Sequence, residues 1–296
     1  MSKKQVKREV VSALQPDAGA PIVGHLCWWE FHAARIPVED FRQLWSTQEL
    51  PMHLLTKIKD RTALRKALRE LQRKKLLTRI KDDAERIVWR VTTEDVDYEQ
   101  EDVTYRKAQQ VIFNKSTKQI EFQIDDPVAN EAVRNLFRRY RGAFTARELR
   151  KMMTSTIEYM NGVTLRSSGG LYFIARRHTE TINKVRQVLS RVEGDNHFIA
   201  LGILDNETYK ASIVAQAQAE LTKELAQAST DNKKVLDLAG AGKARSKSVE
   251  TRVAAMEKLK SKVIELQEFG LKPDELLGGI AKQTKTLQTQ LARMPD

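Results

Sequence analysis

DRTALRKALRELQRKKLLTRIKDDAERIVWRVTT, residues 60–93, is the stretch from which the rest of the chain is read. Its first half has helical periodicity. Leu64, Ala67, Leu68 and Leu71 share one face at about 100° per residue, and Thr62 is a suitable N-cap. Arg65, Lys66, Arg69 and Arg73 cluster on roughly the opposite face. Two β-prone runs follow, Leu76 to Lys81 and Ile87 to Thr93, with Asp82-Asp83-Ala84-Glu85-Arg86 as the turn between them. A helix with an apolar back and a cationic front is therefore expected to lead directly into a hairpin.

This order resembles the recognition helix and wing of a winged-helix domain. The resemblance implies a basic module over residues 25–93, in which Val38 to Trp45 and Pro51 to Ile58 form two supporting helices. The candidate nucleic-acid contacts are Arg65, Lys66, Arg69, Arg73 and Lys75, with Arg79 or Arg90 on the wing. Phosphate contacts are expected to dominate, because Lys and Arg supply charge whatever the base sequence. Gln72 is the only amide on the exposed arc, so adenine readout looks poor while arginine to guanine stays open.

The chain has 296 residues, enough for two small domains and an extension, with 41% hydrophobic and 30% charged residues. A formal charge of +12 points to an anionic partner: nucleic acid first, then an acidic protein, then an anionic membrane. One cysteine, Cys27, excludes an intrachain disulfide and fits a reducing compartment. The start, MSKKQVKREVV, lacks the apolar core of a secretory signal, and no run has the length of a membrane span. The expectation is a cytoplasmic, bacterial or phage protein that does not enter a membrane.

Charge is unevenly placed. Residues 51–90 hold 13 basic and 5 acidic side chains, residues 91–105 hold none and 6, and residues 127–195 hold 13 and 6. Two basic modules are thus expected on either side of an acidic linker over 94–106, with the alternative that the acidic strip screens a basic face. Residues 1–24 read as a flexible arm whose Lys3, Lys4, Lys7 and Arg8 form a solvated tail or touch phosphates. Trp28, Trp29 and Phe31 are expected to anchor the first core, with base stacking as the alternative. His25, Cys27 and His32 lack the paired spacing of a metal site, so no metal or other cofactor is expected.

The second module is expected over 107–206. It opens with a hairpin, Lys107 to Phe113 and Lys118 to Ile124, in which Val111, Phe113, Ile120, Phe122 and Ile124 alternate. A helix from Pro127 carries Val128, Ala132, Val133, Leu136 and Phe137 on one face, with Arg134, Arg138, Arg139 and Arg141 near its end. Thr145-Ala146-Arg147-Glu148 has the pattern of a capping box. The helix after it carries Leu149, Met152, Met153, Ile157 and Met160 and stops at Asn161-Gly162, with Gly162 as the left-handed residue. Two strands then flank a Ser-Ser-Gly-Gly turn, so helix-then-hairpin occurs twice, and a helix from Thr179 and a strand from His197 follow.

Arg166, Ser168, Gly169, Gly170, Tyr172 and Phe173 spell R-x-S-G-G-x-Y-F. Residues 145–206 thereby resemble a bacterial and phage domain of unknown function. The resemblance implies no activity or cofactor; some members sit beside AAA-type ATPases, which would imply a protein partner. Read from the residues, Gly169 and Gly170 let a phosphate approach closely, with Arg166, Arg176 and Arg177 beside them. The alternative is an ordinary turn with solvated arginines.

Residues 207–296 read as a helical, coiled-coil-like tail. Ile213, Ala217, Leu221 and Leu225 form one stripe, and Val253, Met256, Leu259, Val263 and Leu266 another. A flexible joint is expected near 231–248, and Gly278-Gly279 could interrupt the last helix. The tail either folds back on the body or serves as an arm for self-association or a protein partner.

HExxH, GxSxG, GxGxxG and P-loop motifs are all missing; at the one near match, Gly242-Lys243 is followed by Ala244 rather than Ser or Thr. The sequence therefore predicts an α+β, mainly helical protein with tandem helix-plus-hairpin modules and a long helical extension. Its expected role is non-enzymatic nucleic-acid binding, DNA favoured, with an adaptor for an AAA-type ATPase or phage assembly as the alternative.

Overall fold

The computed structural model describes residues 22–32, 34–71, 75–97, 102–123, 127–166, 170–194 and 196–294. Along the chain run β1 (Ile22–Phe31), β2 (Arg35–Pro37), α1 (Val38–Thr47), α2 (Asp60–Leu71), β3 (Lys75–Asp82), β4 (Arg86–Asp97), β5 (Asp102–Asn114) and β6 (Ile120–Phe122). Then come α3 (Pro127–Arg141), β7 (Ala143–Thr145), α4 (Ala146–Tyr159), β8 (Val163–Arg166), β9 (Leu171–Ala175), α5 (Thr179–Leu189) and β10 (Asn196–Leu204). Three helices finish the chain: α6 (Glu207–Gly240), α7 (Ser246–Gln267) and α8 (Asp274–Leu291). The fold is α+β with a long helical C-terminal region, as the sequence predicts. Among the described residues no helix is long and apolar enough to cross a membrane.

The chain divides into two units. One takes Ala34–Leu44 and Leu55–Leu149; the other takes the residues before 34, Trp45–Leu54 and those from 150 on. In the first, the expected two-stranded wing is the start of a four-stranded antiparallel sheet in the order β3-β4-β5-β6. Residues 94–106, expected as an acidic linker, lie largely in β4 and β5, which stay paired from Arg86↔Asn114 out to Asp97↔Asp102. Cross-strand hydrogen bonding carries this polar stretch, which has no hydrophobic alternation to mark it as strand.

Alternating residues of that sheet, Ile87, Trp89, Val91, Val111 and Phe113, pack against Ala63, Leu64, Ala67 and Leu68 of α2 and Val133 and Phe137 of α3. The stretch 51–58, expected as a second helix, holds only a 3-10 turn at Met52–Leu54, and α3 packs beside α2. Val128, assigned to the apolar face of α3, is 82% exposed. The α2 helix begins two residues before the expected cap, because Lys59 O accepts from both Thr62 N and Ala63 N at 2.8 and 3.1 Å. β2 and β7 form a separate two-stranded pair.

In the other unit, β1 is a central strand of a sheet ordered β10-β1-β9-β8. The aromatic stretch expected to anchor the first module therefore belongs with the later residues. Cys27 and Phe31 are buried, and Trp29 stacks on Tyr172 with centroids 5.1 Å apart. The α4 helix ends at a left-handed residue, but this is Asn161 (φ 51°) rather than Gly162. Gly162 is needed for space: a Cβ there would lie 2.4 Å from Ile157 Cγ2.

The three C-terminal helices pack on one another and on this sheet. Val163, Leu165, Phe173 and Ile203 share a core with Ala217, Leu221, Met256, Leu259, Val263 and Leu266. Both predicted stripes are thus used within the chain. Residues 231–234, expected to loosen, lie inside α6, where Asn232 is fully buried with its Nδ2 donating to Gln283 Oε1 at 3.2 Å. Gly278 and Gly279 lie inside α8; a Cβ on Gly279 would meet Leu225 Cδ2 at 2.9 Å, so the glycine lets α6 approach.

Candidate nucleic-acid interface

The buried stripe of α2 leaves Arg61, Arg65 and Arg69, spaced four residues apart, on its other side. Across from them the sheet register pairs Arg79 with Trp89, and alternation puts both on the face that meets α2. The first turn of α4 contributes Arg147. Together with Thr62 and Leu77 these residues line a cleft of about 530 Å³ holding five arginines.

Among the described residues a single carboxylate offsets this charge. Asp82 accepts from Arg61 Nη1 at 3.1 Å and from Arg79 Nη1 at 2.8 Å, and Lys115 Nζ lies 2.9 Å from its other oxygen. The Lys115 and Arg61 hydrogen bonds hold the Asp82 carboxyl below its ordinary range. Neighbouring Asp83 is held lower still, by Lys81 and by the backbone N–H of Arg86, and closes the β3–β4 turn. Arg65, Arg69 and Arg147 have no ion pair among the described residues. Arg147 is placed against its helix dipole, which disfavours a cation in the first turn.

Of the residues singled out in the sequence, Arg65, Arg69 and Arg79 meet in this cleft. Lys66 does not line it. One residue, about 100°, separates it from Arg65, and its Nζ donates to Glu148 Oε1 at 3.1 Å while lying 5.6 Å from the Tyr140 ring centroid. Arg90 is on the opposite face of the sheet, since strand alternation separates it from Trp89. Arg73 lies outside the described residues, and Lys75 opens β3.

Arg61 and Arg147 were not singled out. Arg61 sits four residues before Arg65, a spacing the helix reading could have caught. Arg147 is some 80 positions away and is brought in only by the tertiary fold. One half of the predicted capping box forms beside it: Thr145 N donates to Glu148 Oε2 at 3.1 Å, and Thr145 Oγ1 donates to the same oxygen. Burial raises the Glu148 pKa, but the Thr145 and Lys66 hydrogen bonds outweigh this and leave it lowered.

The second candidate cluster is divided. Ser168 and Gly169 lie outside the described residues, while Gly170 takes φ 65° and Arg166 and Arg176 are exposed. Arg177 turns to Glu265 of α7, a carboxylate 2% exposed that also accepts from Asn161 Nδ2 at 3.2 Å. It therefore ties the segment after β9 to the helices instead of facing solvent unpaired.

The same unit has a cleft of about 360 Å³ between the end of α4 and helices α6 and α7. Its charges are matched: Lys262 with Glu224 at 2.9 Å, Arg252 with Asp231 at 3.3 Å, and Lys258 with Glu158 at 3.5 Å. Cys27 is sealed in the core, where burial pushes its thiol up to about 12, so it is no nucleophile at neutral pH. No cluster of metal-ligating residues occurs among the described residues.

No curated protein and no solved structure matches the chain. The likeness to a domain of unknown function, read over residues 145–206, is matched at that level by a wider span. A family of unknown function (DUF6744) matches residues 22–272, which include every residue lining the arginine cleft, and the chain belongs to that family.

Proposed function

We propose that this is a non-enzymatic nucleic-acid-binding protein, DNA favoured, that contacts phosphates through the arginine cleft. The observation that carries the reading is the cleft itself: five arginines face one space, with one carboxylate shared among three cations. Guanidinium groups repel one another when gathered without counter-charge, and phosphate is the anion their forked donors fit best. In this reading α2 acts as a recognition helix and the β3–β4 hairpin as its wing, in the manner of a winged helix. A bacterial or phage cytoplasm is the proposed setting. The adaptor reading has less support, because the stripes a docking arm would present are buried in the chain's own core.

The test is fluorescence anisotropy with labelled duplex and single-stranded DNA and RNA across ~50–300 mM salt, where log K is expected to fall linearly with log salt. A flat salt response, or no binding at ~50 mM salt, would remove nucleic acid as the ligand.

A further inference from the structure

Resting on the nucleic-acid reading above, we propose that the cleft captures a terminal phosphate of a strand rather than the diesters along it. The first argument is size. At about 530 Å³ the cleft falls in the range of small-molecule sites and fits about one nucleotide, not a duplex segment.

The second is direction. The guanidinium groups come from α2 (Arg61, Arg65, Arg69, in a row), from β3 (Arg79) and from the start of α4 (Arg147), so three elements supply donors to one cleft. An internal diester offers two free oxygens. A terminal phosphate offers three, which donors from three elements can satisfy together. The third is charge: near neutral pH a terminal phosphate carries about −1.5 to −2, against −1 for a diester, and the cleft has a large cationic excess. Arg147 sharpens this, having no ion pair among the described residues where the dipole of α4 disfavours a cation; a dianion beside it removes the conflict.

Leu77 and Trp89 complete the lining with apolar surface suited to the attached sugar. The Trp89 Nε1–H is buried and has no hydrogen-bond partner among the described residues.

The experiment uses the full chain and one internally labelled single-stranded oligonucleotide in three forms: 5′-phosphorylated, 3′-phosphorylated and hydroxyl-ended. One phosphorylated form is expected to bind about tenfold more tightly than the hydroxyl-ended one, the gain of one extra charge-assisted contact. Arg147→Ala should weaken the preferred form about tenfold and the hydroxyl-ended form only about two- to threefold, so that the preference collapses. Equal affinity for all three forms would overturn the terminal-phosphate proposal and leave the nucleic-acid reading standing; no binding of any, with duplex DNA still bound, would overturn the strand-end proposal alone, and no binding of any nucleic acid would overturn both. Inorganic tripolyphosphate is the remaining arm. If it binds more tightly than either phosphorylated strand, the site belongs to a free polyphosphate and the strand-end proposal fails.

Discussion

Two clefts among the described residues both hold several cations and differ in how those charges are answered. The one among α4, α6 and α7 holds Arg252, Lys258 and Lys262, each with its own carboxylate within 3.5 Å. The one on α2, β3 and α4 holds five arginines and, among the described residues, draws on Asp82 alone. Matched pairs of this kind add little net stability at a surface, yet they leave no local field to attract an anion. Unmatched arginines do create such a field. Cationic residue count alone therefore does not distinguish the two clefts; the carboxylates near them do.

The sharpest way to break this comparison is to reverse the unmatched charges. Arg65→Glu with Arg69→Glu should weaken DNA binding at least about 100-fold at low salt, because each lost contact is worth about 1.5–3 kcal/mol. Both side chains are exposed, so the melting temperature should hold. The paired control, Lys258→Glu with Lys262→Glu, should leave binding within about threefold if the matched cleft plays no part. Similar losses in both double variants would show that overall charge, not the cleft, drives binding.

A smaller effect is expected where the matched unit is tied together. Burial pushes the Glu265 carboxyl up, but hydrogen bonds from His178 and Asn161 and the charge of Arg177 outweigh this, leaving its pKa lowered. A carboxyl whose folded pKa lies below its unfolded value stabilises fully above the unfolded pKa. That contribution is lost as pH falls through the folded pKa. Glu265→Gln should therefore cost about 1–3 kcal/mol near neutral pH, read by urea unfolding, and the deficit should shrink on acidification below the ordinary carboxylate range. A deficit that is constant with pH would mean that packing, not charge, holds this contact.

The smallest effect should come from removing the shared carboxylate. Asp82→Asn releases Arg61 and Arg79 and should strengthen DNA binding about two- to fivefold at low salt, since an exposed ion pair holds its partners only weakly. Weaker binding would instead show that Asp82 positions the two arginines productively.

Much of the fold was legible in the sequence because local signals were strong. The capping box at Thr145–Glu148, the apolar spacing of α2, α4 and α7, and the alternation at Val111, Phe113 and Ile120 all mark elements that formed. The readings that changed depend on distant partners. The polar ends of β4 and β5 are strand because each pairs with the other, and residues 231–234 stay helical because Asn232 is buried and bonded to Gln283.

The site divides in the same way. Periodicity alone places Arg65 and Arg69 on the outer face of α2 and assigns them to one surface. Strand alternation likewise puts Arg90 on the face opposite Trp89, but only the tertiary structure removes Lys66 to Glu148 and gives Arg177 to Glu265. It alone brings in Arg147. Helix and strand periods fix which way a side chain points from its own element. What it meets there, a carboxylate or another arginine, is decided by how distant segments pack, as Lys66 meets Glu148 82 residues on and Arg177 meets Glu265 88 residues on.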